Sequence, residues 1–72
     1  MSELPILSGK EIIKALKKCG YIILRQRGSH IRLHGKNKNP ITVPNYKSID
    51  RSLLRKILRD AQLTDEEFIK SL

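Results

Sequence analysis

A lone histidine follows a turn-forming glycine inside a cluster of arginines: Arg25-Gln26-Arg27-Gly28-Ser29-His30-Ile31-Arg32. Gly28 permits a backbone turn that residues with a Cβ resist. Ser29 brings a hydroxyl that both donates and accepts hydrogen bonds. Histidine is the side chain suited to moving protons near neutrality, and His30 is the one such group in the cluster. Arg25, Arg27 and Arg32 add permanent positive charge of a shape suited to phosphate. Together these parts could bind a polyanion and carry out acid–base chemistry on it.

RNA is the polyanion that such a kit could cut. It carries its own nucleophile, the 2′-hydroxyl. A protein need only move protons and stabilise charge on the phosphate. The plainer alternative is an ordinary surface histidine after a turn. Other chemistries find less support. His30 and His34 lie four residues apart, which on a strand is about 13 Å, too far for one tetrahedral ion. Carboxylates are scarce near the basic residues, which argues against two-metal nuclease chemistry. There is no Gly-x-Gly-x-x-Gly and no P-loop. No metal and no cofactor are expected.

The charge balance points to the same class of partner. The 72 residues carry a formal net charge of +8, with a pI near 10.1. Such a balance implies an acidic partner: nucleic acid, a membrane surface or an acidic protein. Between residues 10 and 59 only Glu11 and Asp50 offset a run of lysines and arginines. The sign reverses at the end, with Asp60, Asp65, Glu66 and Glu67 against Lys70. Lys36 and Lys38 sit in a polar loop where phosphate contacts would position a strand without reading its sequence. Tyr21 and Tyr46 could stack on bases or belong to the core. Cys19, the only cysteine, reads as a small buried hydrophobe. A small chain without disulfides fits a reducing compartment, so a cytoplasmic location is expected. No apolar run approaches the length of a membrane span, and no signal-peptide pattern is seen.

The elements that must position these residues are legible. A chain of this length reads as one domain, residues 1–72, with a marginal core. Residues 1–7 show no strong pattern. Ser8 and Glu11 form a capping box, and Ile12, Ile13, Leu16 and Cys19 follow at helical spacing. Lys10, Lys14, Lys17 and Lys18 take the other side, and Gly20 ends the helix. Tyr21–Gln26 reads as a strand, with Tyr21 and Ile23 placed on the open face of the sheet. After the turn, residues 29–34 alternate. Ile31 and Leu33 share one face, with His30, Arg32 and His34 on the other. Ile41-Thr42-Val43 is a short third strand stopped by Pro44. Asp50 caps a second helix with a stripe of Leu53, Leu54, Ile57, Leu58 and Ala61. Thr64 and Glu67 form another capping box and start a short C-terminal helix. The fold class is α+β, in the order α-β-β-β-α plus a tail helix. Short links make the three-stranded sheet antiparallel, and both helices cover one face.

These residues resemble a known family, the HicA-type mRNA interferase toxins of the HicA/HicB toxin–antitoxin systems. The resemblance runs from about Ser8 to Leu72. It rests on Gly20-Tyr21, Arg27-Gly28-Ser29-His30, Val43-Pro44, Leu54, Ile57-Leu58, Leu63-Thr64 and Glu67-Phe68. It implies a fold of the double-stranded-RNA-binding-domain type. It implies metal-independent, ribosome-independent cleavage of mRNA, with the histidine of the Gly-Ser-His motif, His30 here, as catalytic residue. It also implies a HicB-type antitoxin that covers the active face. Many members carry a histidine shortly after the Val-Pro pair, where this chain has Asn45-Tyr46. Tyr46 is left to stack on a base or orient a phosphate. RNA contacts are expected from Arg25, Arg27, Gly28, Ser29, Arg32, Lys36, Lys38 and Tyr46. A non-catalytic RNA-binding module on the same fold is the alternative. A DNA-binding role is weaker, since no recognition helix stands out.

Overall fold

The computed structural model describes residues 4–72. The order is α1 (Gly9–Lys18), β1 (Tyr21–Arg27), β2 (His30–Gly35), β3 (Ile41–Pro44), α2 (Arg51–Asp60) and α3 (Asp65–Lys70). Each helix starts at a side-chain cap. Ser8 Oγ accepts from the Glu11 amide at 3.1 Å while Glu11 Oε1 accepts from the Ser8 amide at 3.0 Å. Thr64 and Glu67 repeat the exchange at the start of α3. Asp50 caps α2 through the Leu53 amide at 2.7 Å. These bonds satisfy amides that the first helical turn leaves without partners.

The strands form one antiparallel sheet in the order β1-β2-β3. Ile31, Leu33, Ile41 and Val43 point inward and are buried with Ile12, Leu16, Leu54, Leu58 and Phe68. The helices therefore share one face of the sheet, and the other face is left uncovered. Gly28 and Ser29 form the two-residue loop between β1 and β2. Gly28 has a φ of +58°, the conformation that a tight hairpin turn demands at its first central residue.

Two features of the fold differ from the expectation. Tyr21 is only 1% exposed and lies on the helix side, not on the open face. Its hydroxyl donates to the Asn39 carbonyl at 3.2 Å, and burial raises its phenol above the ordinary value. Burying an aromatic ring of this size is worth more than leaving it in water. Ile23 is likewise in register with the inward Leu33. The register then slips between Ile23 and Arg25. Strict alternation would send Arg25 and Arg27 to the side that Tyr21 occupies. A β-bulge at Leu24 absorbs one residue and returns both arginines to the open face, opposite Arg32 and His30. Burying those charges unpaired would cost far more than a bulge.

The second feature is the N-terminal segment, which had no visible pattern. Leu4 is fully buried. Its carbonyl accepts from Arg51 Nε at 2.6 Å, and Leu7 bridges to Ile49. No helix among the described residues is long and apolar enough to cross a membrane.

Candidate active site

The uncovered face of the hairpin carries the site. Arg27 pairs with His30, and Arg25 with Arg32, across β1 and β2. Arg32 pairs in turn with Thr42 on β3, and its guanidinium donates to Thr42 Oγ1 at 2.9 Å. Arg25, Arg27, His30, Arg32 and Thr42 line one shallow depression of about 170 Å³. Among the described residues no carboxylate lines it. Three guanidinium groups around an exposed imidazole are an arrangement that can bind a phosphate beside a group able to move a proton.

The turn that carries His30 is braced from both sides. Gln26 Nε2 donates to the Gly28 carbonyl at 2.9 Å. The Asn45 amide donates to the Ser29 carbonyl at 2.6 Å. Asn45 and Tyr46 are held in turn by α1, where the Gly9 amide donates to the Tyr46 carbonyl at 2.8 Å. Gly9 is needed there: a Cβ would collide with the Pro44 carbonyl oxygen.

The remaining expected contacts are dispersed. Tyr46 is 48% exposed and lines a separate depression with Ser8, Lys10, Asn45 and Lys47. Lys36 and Lys38 follow the far end of β2 from His30. Lys38 lies over the Tyr21 ring at 5.7 Å from its centroid, a cation–π contact. His34 shares the open face but pairs with Ile22, away from the arginines. Among the described residues no three His, Cys, Asp or Glu side chains gather as metal ligands do. Cys19 is half-buried rather than fully inside, with its Sγ 3.1 Å from Ser71 Oγ. Thr42 was absent from the expected site. Its signal was its place in β3, but only the register with Arg32 reveals it.

Comparison with known proteins gives a family and a solved structure to which the chain is similar. A family model described as the HicA toxin of bacterial toxin–antitoxin systems matches residues 9–63. A chain from a solved toxin–antitoxin complex of Streptococcus pneumoniae is 31% identical, with a TM-score of 0.71. The match covers 79% of this chain and 98% of that one. No curated protein matches the chain.

Proposed function

We propose that this chain, which belongs to the HicA toxin family of bacterial toxin–antitoxin systems, is an endoribonuclease that cleaves mRNA by proton transfer at His30. The observation that carries the reading is the convergence of Arg25, Arg27, Arg32 and Thr42 around the exposed His30 on an uncovered sheet face. The 2′-oxygen attacks the adjacent phosphorus as the bond to the 5′-oxygen breaks. His30 takes the 2′ proton while water protonates the leaving 5′-oxygen, or His30 protonates the 5′-oxygen while water takes the 2′ proton. The arginines balance the charge that builds on the phosphate. The products carry a 2′,3′-cyclic phosphate and a free 5′-hydroxyl.

Ser29 and Gly28 place the imidazole, and Ser29 Oγ is free to meet a phosphate oxygen. Tyr46 stacks on a base, the role left to a phenol where relatives carry histidine. Lys36 and Lys38 attract the strand at longer range, without setting sequence. The protein partner is an antitoxin of the HicB type that meets Arg25, Arg27 and Arg32 with acidic side chains.

The test is purified protein with mRNA in excess EDTA, read on a denaturing gel. Cleavage persists in chelator, and His30→Ala lowers its rate by about 10²–10⁴ while the variant still binds RNA. Full-rate cleavage by folded His30→Ala would remove His30 from the mechanism. Binding without any cleavage by the unaltered chain would establish the non-catalytic RNA-binding reading instead.

A further inference from the structure

The lysine face of α1 is not plain solvated surface. Lys10, Lys14 and Lys17 form one wall of a groove of about 310 Å³ between α1 and β1. Its floor is apolar, made by Ile13, Ile23 and Ile31, and Gln26 and Asn45 place amide groups at its rim. The volume lies in the range of small-ligand clefts. A second depression, of about 280 Å³, adjoins it through the shared Lys10 and Asn45 and adds Tyr46 and Lys47. Among the described residues no Asp or Glu lines either one. A cationic wall facing an apolar floor fits a phosphate backbone with its bases turned inward. Gln26 Nε2 is held by the Gly28 carbonyl, which leaves Gln26 Oε1 and the Asn45 side-chain amide to read base edges, and Tyr46 offers a ring for stacking.

The groove leads to the turn. The Asn45 backbone N–H donates to the Ser29 carbonyl at 2.6 Å, so the residue at the rim is tied through its backbone to the peptide that precedes His30. The groove lies on the helix side of the sheet and His30 on the other, so a bound strand must round the hairpin tip. That tip is open: apart from its chain neighbours, none of the described residues lies within 4 Å of where a Gly28 Cβ would be.

We infer that this groove is a single-stranded RNA subsite, and that Gln26 and Asn45 set the base preference next to the cut. The inference rests on the ribonuclease reading for the cut alone, and its binding half is testable without catalysis. The full-length His30→Ala chain is titrated against a fluorescein-labelled single-stranded 12-nucleotide RNA, followed by anisotropy. Adding Lys14→Glu and Lys17→Glu lowers affinity at least tenfold. It also lowers the salt slope by about 1.4, at roughly 0.7 per phosphate contact on single strands. Arg55→Glu with Arg59→Glu removes the same net charge from α2 and lowers affinity less than threefold. Lys14→Gln with Lys17→Gln repeats the test if the reversed pair does not fold. Equal losses from the α1 and α2 pairs would overturn the subsite in favour of general attraction.

With His30 restored, Gln26→Ala and Asn45→Ala redistribute cleavage positions along a mixed-sequence RNA, mapped by primer extension. An unchanged distribution would overturn the base-reading role. Groove-dependent binding without cleavage by the unaltered chain would overturn the nuclease reading and uphold the groove as an RNA site.

Discussion

Arg25 and Arg32 stand directly opposite each other on neighbouring strands, on the face of the sheet that no helix covers. Like charges in that position weaken a sheet by about 0.2–1 kcal/mol. Thr42 steadies Arg32 through one hydrogen bond but neutralises nothing. The pair opposes stability and favours an anion between the strands.

Arg25→Thr should therefore stabilise the free protein while weakening RNA binding. In low salt the melting temperature rises by about 1–6 °C, the range that such a gain gives in a domain of this size. RNA affinity falls by about tenfold. A lower melting temperature would show that Arg25 contributes packing that outweighs the repulsion.

Leu4→Ala should be among the more damaging changes, although Leu4 lies in a stretch without sequence pattern. Leu4 is fully buried, and such truncations cost about 2–5 kcal/mol. The melting temperature drops by at least about 10 °C, while RNA affinity per folded molecule holds. A drop of less than about 3 °C would mean that the N-terminal segment is not part of the cooperative core.

The contrast between Leu4 and the caps explains what could be read in advance. Ser8 with Glu11 and Thr64 with Glu67 bond across three residues, so their spacing alone reveals them. The inward Ile31 and Leu33 follow the two-residue period of a strand. Leu4 is fixed by Arg51 and Leu7 by Ile49, contacts that no local window contains. The bulge at Leu24 is legible only as a conflict. Tyr21, Arg25 and Arg27 share one parity, yet the ring is buried and the arginines face outward. His30 and its arginines were visible as a cluster. Thr42 and the groove under β1 depend on register and helix packing.

Gly9→Ala should destabilise the fold in spite of alanine's better helix propensity. The added methyl would meet the Pro44 carbonyl and lie 3.0 Å from the Asn45 Cα. Overpacking of this kind costs about 1–3 kcal/mol, more than the roughly 1 kcal/mol of propensity at stake. The melting temperature falls by several degrees, and cleavage slows because Asn45 no longer holds the turn. A more stable variant with full activity would contradict this.

Glu67 should make part of the acid sensitivity. Its hydrogen bond from the Thr64 backbone, and then that from the Thr64 side chain, hold its carboxyl below the ordinary value of 4.5. A carboxyl lowered by folding stabilises the protein above its unfolded value, and that contribution is lost as pH falls through the lowered folded value. Glutamine also serves in a capping box, so Glu67→Gln keeps the cap without the charge. The wild-type chain melts higher than Glu67→Gln at pH 7. The gap closes as pH falls below about 4.5. A gap that stays constant from pH 7 to pH 3 would exclude this linkage.

Pro44, Asn45 and Tyr46 touch three parts of the molecule at once. Pro44 ends β3 opposite His30, Asn45 holds Ser29, and Tyr46 takes the Gly9 amide of α1. Helix, sheet and turn are thereby tied together at one corner. A strand that lies along α1 and reaches His30 meets two points at a fixed separation. On the proposed ribonuclease and groove readings the protein would act as a gauge: the cut would fall a set number of nucleotides from the base held in the groove, whatever the length of the message on either side.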